Sequence, residues 1–220
     1  MTVRPYNSRA KEKEPAADCA LCPRLAEFRV ENAHKYPDRH NAPVPAFGDR
    51  QARLLIVGLA PGLKGANFTG RPFTGDYAGD TLYPALIDSG LAHGHYAAHT
   101  GDGLTLRDTR ITNAVRCVPP GNKPTTKEIR TCNRFLANEI AAMPNLRHIL
   151  ALGRIAHDAV IIAQGGRKAH YPFAHGRHHE LPSGLVLTDS YHCSRYNVQT
   201  GRLTQAMFRG VLQDIVRKLA

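Results

Sequence analysis

The stretch that decides the fold is "LLIVGLAPGLKGANFTGRPFTGD" (54–76), where an uninterrupted apolar run passes directly into a glycine-rich segment. An apolar run of this length, ended by glycine, is typical of a strand that is buried on both faces. Glycine lets the backbone approach a ligand closely, so the segment after the strand is a candidate binding loop. The loop matches neither the G-x-x-x-x-G-K-S/T nor the G-x-G-x-x-G phosphate-binding pattern. We therefore do not expect chemistry on nucleoside triphosphates.

Strand-like and helix-like patterns alternate along the rest of the chain. The predicted strands span 52–60, 108–118, 146–153 and 184–192, and the predicted helices span 80–91, 125–143, 154–164 and 202–220. This alternation predicts an α/β fold, with a parallel sheet that has helices on both faces. Ligands bind such sheets at the carboxyl ends of the strands. We therefore expect the loops after the first, second and fourth strands to converge on one site.

The composition favours a single domain with an anionic partner. The 220 residues include 29 Lys and Arg against 18 Asp and Glu, a net charge of +11. This surplus indicates a polyanion such as nucleic acid, with a merely solvated basic surface as the alternative. We expect one folded domain over 18–220 after a flexible basic N-terminus over 1–17. No stretch resembles a membrane span or a secretory signal, so the prediction is a soluble cytoplasmic protein that works at the nucleoid.

Four of the five cysteines form two pairs. Cys19 and Cys22 have C-x2-C spacing, and Cys117 and Cys132 are separated by fourteen residues. Four soft ligands are the number that an iron-sulfur cluster or a tetrahedral zinc ion requires. Cys193 follows a histidine, but neighbouring residues on an extended segment point to opposite faces, so we interpret Cys193 as a packing residue.

Four further residues stand where the predicted sheet would hold a ligand. Phe73 offers a flat apolar face, Asn113 combines a donor with an acceptor, and His192 can donate to an oxygen that gains negative charge. Asp76 can orient a water molecule or cap the helix that follows it. Each residue also has a purely structural explanation, as a core anchor, a turn residue or a helix cap. The histidines of two loops lack the spacing of a zinc site and predict solvated loops: His93, His95, His99, His175, His178 and His179.

Five ordered blocks of the sequence are together characteristic of one family. They are "CALCPRL" (19–25), "GLAPGLKGANFTGRPFTGDYAGD" (58–80), "ITNAVRCVPPGNKPT" (111–125), "ALG" (151–153) and "YHCSRYNVQTGRLT" (191–204). The chain resembles the uracil-DNA glycosylase superfamily, in particular its type 5 (type b) iron-sulfur branch. The resemblance implies a three-layer α/β/α sandwich with a central four-stranded parallel sheet. It also implies a 4Fe-4S cluster, as a structural staple, on Cys19, Cys22, Cys117 and Cys132.

The resemblance implies roles for individual residues. Phe73 would stack under a flipped base, Asn113 would read the edge of that base, and His192 would bond to the base as it leaves. The catalytic set is then His192, Asn113 and Asp76, the last near the attacking water. The substrate pocket would be lined by Gly58, Ala60, Pro61, Gly62, Phe73, Asn113 and His192. The contacts to DNA would come from Lys64, Asn67, Arg71, Lys123, Ser194, Arg195 and Arg202.

The chain departs from the family pattern in the loop after the fourth strand, and it differs from other branches of the superfamily, which place a carboxylate or amide directly after the first strand. The family usually shows His-Pro-Ser-Arg-Gln-Asn, whereas this chain has "HCSRYN" (192–197), with Cys193 for proline and Tyr196 for glutamine. A cysteine does not fix its own φ as a proline does, so the loop loses that source of stiffness. The segment "GLAPG" (58–62) has no ionisable group after the first strand. We therefore expect stabilisation of the leaving base to contribute more than activation of water.

The implied activity is that of a DNA glycosylase. It would excise uracil, and other deaminated bases such as hypoxanthine, from double- or single-stranded DNA and leave an abasic site for base excision repair. Two alternatives remain open from the residues alone. One is a non-catalytic DNA-binding module stapled by zinc or by a cluster, and the other is a metal-dependent nuclease that uses the histidine loops.

Overall fold

The structure is a computed structural model that describes residues 14–220. Of the predicted flexible N-terminus over 1–17, residues 1–13 lie outside the described residues. Glu14 is in contact with the folded domain, because its Oε1 accepts hydrogen bonds from the backbone N of Ala46 and from Nη2 of Arg110, both at 3.3 Å. The boundary between residues 17 and 18 stays a prediction.

Six strands form one sheet, and its central four are parallel. Within residues 14–220 the strands are β1 (Phe47–Gly48), β2 (Leu54–Gly58), β3 (Ala92–His93), β4 (Thr105–Leu106), β5 (Thr109–Asn113), β6 (His148–Leu152), β7 (His178–Glu180) and β8 (Val186–Ser190). The sheet has the order β1-β5-β2-β6-β8-β7, and β3 pairs separately with β4. The pairs β5·β2, β2·β6 and β6·β8 are parallel. The four-stranded parallel core is confirmed, and the two antiparallel edge strands were not predicted.

Helices cover both faces of the sheet. They are α1 (Pro23–Lys35), α2 (Ala66–Thr69), α3 (Tyr77–Asp88), α4 (Thr126–Ala141), α5 (Arg154–Ala163), α6 (Arg195–Gln199) and α7 (Gln205–Leu219). The predicted start of α4 is confirmed by a reciprocal capping box, in which Glu128 N donates to Thr125 Oγ1 at 3.2 Å and Thr125 N donates to Glu128 Oε2 at 2.7 Å. Within the described residues, no helix has the length and apolar character needed to cross a bilayer.

The two faces of β2 belong to two separate cores. Successive side chains of a strand point to opposite faces. Leu54 and Ile56 pack in a cluster with residues of α3 and α7, such as Leu82 and Phe208. The other face of β2 packs against α4 and α5 in a cluster formed by Leu55, Val57, Leu136, Ile140 and Val160. The domain therefore has three layers, as the resemblance implies.

The register of the parallel strands brings their carboxyl ends together at one edge. Gly58, the last residue of β2, lies beside Asn113, the last residue of β5. Leu152 of β6 lies beside Ser190 of β8. Gly153 N donates to Ser190 O at 2.8 Å, which ties the start of α5 to the end of β8. The loops that follow β2, β5 and β8 therefore start from the same edge.

Candidate active site

Gly58 is the meeting point of two predicted pocket residues. A Cβ added to Gly58 would lie 2.4 Å from Oδ1 of Asn113 and 2.4 Å from Cζ of Phe73. Both distances are far below van der Waals contact, so only glycine fits here. The side-chain amide of Asn113 at the end of β5 and the phenyl ring of Phe73 in the loop after β2 thus approach the backbone of Gly58 together.

His192 lies on the same side of this edge. Its imidazole centroid is 6.0 Å from that of Phe73, and the two ring planes are inclined by 30°. His192 lies two residues past the end of β8. Its carbonyl oxygen accepts a hydrogen bond from Asn197 Nδ2 at 2.8 Å. Its Cβ would be 3.4 Å from a Cβ added to Gly153. The structure therefore brings Phe73, Asn113 and His192 around one small space.

The polar groups of this space are free to bind a ligand. Within residues 14–220, the side chains of Asn113 and His192 make no hydrogen bond to another protein group, and Asn113 is only 3% exposed. Burial lowers the pKa of His192 to about 4, so its ring is neutral at pH 7 and carries one N–H donor.

The backbone of Phe73 is strained and held in place by its neighbours. Its φ is 53°, in the left-handed region that residues other than glycine rarely adopt. Tyr96 Oη donates to Phe73 O at 3.3 Å, and Tyr83 Oη donates to Pro72 O at 2.6 Å. A Cβ added to Gly79 would lie 1.8 Å from Phe73 O, so α3 packs directly against this peptide. Strained residues of this kind cluster at binding and catalytic sites.

The two carboxylate oxygens of Asp76 have different surroundings. Oδ1 caps α3, because it accepts hydrogen bonds from the backbone N of Ala78 at 3.1 Å and of Gly79 at 3.3 Å. Oδ2 faces the loop after β2, at 3.1 Å from a Cβ added to Gly62 and 2.4 Å from one added to Gly65. Burial raises the pKa of Asp76. The capping role is therefore present, and the second oxygen remains directed at the candidate binding loop.

The other predicted pocket residues lie in the first turn of that loop. The backbone of this loop is tied to the segment after β5, since Ala114 N donates to Gly58 O and Val115 N donates to Leu59 O, both at 2.9 Å. Pro61 is buried, and Ala60 packs against the cluster formed by the cysteines. The loop therefore connects the candidate pocket to the region of the four paired cysteines.

Five of the seven predicted DNA contacts are accessible. Lys64, Lys123, Arg195 and Arg202 are exposed, and Ser194 is partly buried. Ser194 caps α6, because its Oγ accepts a hydrogen bond from Asn197 N at 3.4 Å. The guanidinium groups of the two arginines lie over aromatic rings, Arg195 at 5.3 Å from Tyr77 and Arg202 at 4.7 Å from Tyr191.

The other two predicted DNA contacts, Asn67 and Arg71, are wrong because both side chains are buried. Arg71 is 5% exposed and forms a two-pronged ion pair with Asp102, at 2.9 Å for Nη1–Oδ1 and 2.6 Å for Nη2–Oδ2. This pairing holds the pKa of Asp102 well below its usual range. Asn67 is 0% exposed and donates to Asn41 Oδ1 at 2.9 Å. Both residues stabilise the loop from inside instead of facing a partner.

The four paired cysteines line one cavity. They share it with apolar side chains of α1 and α4, including Leu25 and Phe135. Two N–H groups point at sulfur atoms, since Arg29 Nη1 donates to Cys117 Sγ at 3.1 Å and Arg116 N donates to Cys132 Sγ at 3.4 Å. Hydrogen bonds of this kind stabilise thiolates that bind a metal. The donor set is compatible with a metal cluster.

The spacing of the sulfur atoms bears on which metal group fits. Among the described residues, no three of the four cysteine sulfurs lie within 4.8 Å of one another. Ligands of a tetrahedral zinc ion with Zn–S bonds of about 2.3 Å are only about 3.8 Å apart. The sulfurs of the described cysteines are therefore not arranged as a closed single-ion site.

Cys193 has the packing role that its sequence position predicts. It is 0% exposed and belongs to the core cluster between the sheet and the helices α3 and α7. Its Sγ donates to Ala78 O at 3.5 Å. Burial raises the pKa of Cys193 to about 12, so the thiol stays protonated and unreactive at neutral pH.

One of the two predicted solvated histidine loops is wrong. His93, His95 and His99 are exposed, as predicted. The segment "AHGRHHE" (174–180) instead packs against β8 and ends in strand β7, with His179 buried and the two other histidines partly buried. No local sequence pattern indicates this burial, because the buried carboxylate that binds His179 is Asp189 of the neighbouring strand β8.

Sequence reasoning also missed the residues that support the site. Tyr83 and Tyr96 hold the strained loop around Phe73, and Arg29 reaches Cys117 from the second turn of α1. Only Arg29 had a sequence signal, and that signal was weak. Arg29 follows Cys22 by seven residues, which places the two residues on the same helix face.

Comparison with known proteins fits this geometry. The model of the family described as the Uracil DNA glycosylase superfamily matches residues 45–216. The chain therefore belongs to the uracil-DNA glycosylase superfamily. It is 48% identical over 204 residues to a type-5 uracil-DNA glycosylase of Thermus thermophilus, which covers 90% of this chain and 93% of that protein. A type-5 relative from Mycobacterium leprae is 43% identical over 92% of this chain and 91% of its own length, and one from Pyrobaculum aerophilum is 40% identical over 89% and 87%. These relatives set the chain in the type-5 branch.

Proposed function

We propose that the chain is a monofunctional DNA glycosylase that hydrolyses the N-glycosidic bond of deoxyuridine in DNA and leaves an abasic site, the first step of base excision repair. The observation that carries the proposal is the convergence of Phe73, Asn113 and His192 on one space, with two polar groups left without protein partners. The relatives named uracil-DNA glycosylase support the same activity.

The pocket has the groups needed to hold a uracil ring. The base stacks against Phe73, whose ring is fixed beside the bare backbone of Gly58. The amide of Asn113 offers one donor and one acceptor, which complement the O4 carbonyl and the N3–H of uracil. The target nucleotide leaves the helix to reach this pocket, at a cost of a few kcal/mol that is smallest for mismatched or deaminated pairs.

Stabilisation of the departing base is the main chemical step that the residues supply. As the glycosidic bond breaks, the sugar gains oxocarbenium character and the base gains negative charge. Neutral His192 donates its N–H to the base oxygen that takes up this charge, in a site where burial strengthens the interaction. The first turn of the binding loop, 59–61, has no ionisable group to activate water. The nearest candidate is Oδ2 of Asp76, which faces this loop and either orients the water or stabilises the sugar cation.

The substrate range extends beyond uracil in this proposal. The contacts to the base are one stacking surface, one amide and one imidazole. No further polar group is proposed to select one base over another. Hypoxanthine presents an oxygen and a ring N–H on one edge, so it matches the same amide. Uracil is the first substrate, and hypoxanthine is the second.

The DNA lies across the carboxyl edge of the sheet. Lys64, Lys123, Arg195 and Arg202 are exposed and supply positive charge for the phosphates. Arg195 opens α6, three residues after His192, on the loop that enters the duplex where the base has left. Tyr196 follows it and is 70% exposed, so it offers a flat ring to the bases next to the gap. Acting on chromosomal DNA, the protein works in the cytoplasm at the nucleoid.

The four cysteines are proposed to hold a 4Fe-4S cluster. Among the described residues no three of these sulfurs lie as close together as the ligands of one zinc ion, which supports the cluster, and the N–H donors from Arg29 and Arg116 suit thiolates that bind a metal. When bound, such a group cross-links α1, the loop after β5 and α4 and supplies no chemistry to base removal. Its role is to fix the segment after β5, which directly follows Asn113.

Incubation with a duplex that contains one U:G pair, followed by alkali, tests the proposal. A glycosylase gives strand cleavage only after alkali, together with free uracil. A metal-dependent nuclease would cut without alkali and would be inhibited by a chelator. A non-catalytic module stapled by zinc would bind the duplex, release no base and be colourless. Either of the last two results would refute the proposed activity.

A further inference from the structure

His175 contacts the backbone immediately before His192. Its Nδ1 is 3.1 Å from the backbone N of Tyr191. A backbone N–H can only donate, so Nδ1 of His175 is the acceptor and the proton of the neutral ring is on Nε2. The imidazole also stacks on the Tyr191 ring, with centroids 5.0 Å apart and planes inclined by 15°. The hydroxyl of Ser190 donates to Tyr191 O at 2.9 Å, so its proton is not available to Nδ1 of His175.

The segment that carries His175 is anchored to β8 by a buried carboxylate. Asp189 is 0% exposed and accepts three hydrogen bonds, from His157 Nδ1 at 2.6 Å, from His179 Nε2 at 2.9 Å and from Ala174 N at 3.2 Å. The second nitrogen of His157 is 2.8 Å from the carbonyl oxygen of Tyr171. Both nitrogens of His157 thus face oxygen atoms, one on Asp189 and one on Tyr171. These hydrogen bonds fix residues 171–179 against the strand that leads to the active site.

These three side chains are an anchor and not a metal site. Their ligand atoms lie close together, as those of a metal site do. However, each of these atoms already has a hydrogen-bond partner at 2.6–2.9 Å. Hydrogen bonds therefore account for the closeness of His157, His179 and Asp189 without an ion. His175 is the residue of this segment that faces the backbone next to His192.

His192 is held from both sides. On its amino side, His175 accepts from the N–H of Tyr191. On its carboxyl side, Asn197 Nδ2 donates to His192 O at 2.8 Å. The chain has cysteine and not proline after His192, so no proline ring fixes the backbone there, and these two side-chain contacts hold that backbone on either side.

We propose that His175 is a positioning residue for His192 in base removal. The inference rests on the proposed function, and it adds a residue that does not touch the substrate. Small displacements of a catalytic group lower the rate steeply, while they leave most of the binding surface unchanged. Loss of the acceptor at His175 therefore slows cleavage and leaves DNA binding intact.

Two variants separate the acceptor from the stacking surface. His175→Phe keeps a ring on Tyr191 but removes the acceptor, whereas His175→Asn places an amide oxygen near the position of Nδ1 without the ring. His175→Ala removes both the acceptor and the ring. If His175→Phe fails to fold, the rate of His175→Asn is compared with that of His175→Ala to test whether the amide oxygen rescues cleavage. The readouts are the single-turnover rate on a U:G duplex, the affinity for a duplex with a tetrahydrofuran abasic analogue, and the midpoint of thermal unfolding.

His175→Phe and His175→Ala are expected to cleave about tenfold more slowly than the wild type, with an unchanged affinity for the abasic duplex. His175→Asn is expected to stay within about twofold of the wild type. A wild-type rate in His175→Phe or His175→Ala, or equal losses of rate in His175→Asn and His175→Ala, would overturn the positioning role. If the wild type itself released no uracil, the proposed function would fail instead, so the two failures are distinguishable.

Discussion

The rings of Phe73 and His192 face the same space at a centroid distance of 6.0 Å, although they belong to loops after different strands. The loop of Phe73 follows β2, and His192 follows β8, two strands away in the sheet. Gly58 lies beside Phe73, and its missing side chain leaves the room that the phenyl ring and the amide of Asn113 occupy. The proposed glycosylase activity depends on this shared space.

Gly58→Ala should damage the pocket without unfolding the domain. The new Cβ would lie 2.4 Å from both Asn113 Oδ1 and Phe73 Cζ, so one of these groups has to move. We expect the single-turnover rate on a U:G duplex to fall by about a hundredfold, since misplacement by about 1 Å has that effect. Gly210→Ala is the matched control, because no atom lies within 4 Å of its added Cβ in α7. Equal rates for the two variants would contradict the pocket geometry.

Folding stability should increase with pH between about 4 and about 6.5. Burial lowers the pKa of His192 and of His148 to about 4, from 6.5 in the unfolded chain. In this interval the unfolded state binds more protons, so acid favours unfolding, and the stabilisation is complete above about 6.5. Asp76 has a raised pKa and acts in the opposite direction. Denaturant unfolding at several pH values measures the net slope.

Single substitutions assign this slope to individual rings. His192→Asn and His148→Asn should each reduce the dependence of unfolding free energy on pH, because each removes one group that the folded state keeps neutral. Only His192→Asn should also slow base release, since His148 lies at the opposite end of its strand and bonds to Thr188. An unchanged slope in His192→Asn would show that its ring is not desolvated as described.

Removal of one of the four paired cysteines should abolish binding of the proposed cluster. Cys132→Ala is expected to lose the iron and the brown colour of the wild type, for which we expect about four irons per chain. Its thermal midpoint should fall as well, because the cross-link between α1, the loop after β5 and α4 is lost. Cys193→Ala is the control, as Cys193 packs in the core away from this cavity. Metal analysis that found one zinc ion and no iron in the wild type would refute the cluster.

Tyr196→Ala should weaken the complex with damaged DNA. Tyr196 is 70% exposed on the loop next to the pocket, and stacking on a base contributes about 1–3 kcal/mol. We therefore expect the affinity for a duplex with an abasic analogue to fall by about tenfold. Tyr196→Phe keeps the ring and should bind as the wild type does. If both variants bind equally, Tyr196 does not stack on DNA.

The parallel core was predictable because its signals are local. The apolar run 54–58 is a buried strand, and the Thr125–Glu128 pair starts α4, as their sequence patterns indicate. The edge strands β1 and β7 are two and three residues long and have no apolar alternation, so they left no such pattern. Their existence depends on pairing with neighbours that are distant in the chain.

The positions of the charged residues were less predictable. Arg71 stands in a loop that looks suited to phosphate binding, yet it is paired with Asp102 from a separate loop. The histidines of 174–180 look solvated, yet Asp189 of β8 binds one of them in the core. In both cases the partner carboxylate is remote in sequence, so composition and spacing do not indicate burial.

The central claim, that His192 stabilises the departing base, is tested most directly by changing the base and the residue together. The measurement is the single-turnover loss caused by His192→Ala on duplexes that contain uracil or 5-fluorouracil opposite guanine. Fluorine withdraws electrons and makes the base a better leaving group, which needs less help. We predict a loss of about a hundredfold for uracil and a clearly smaller loss for 5-fluorouracil. Equal losses on both substrates would contradict the account.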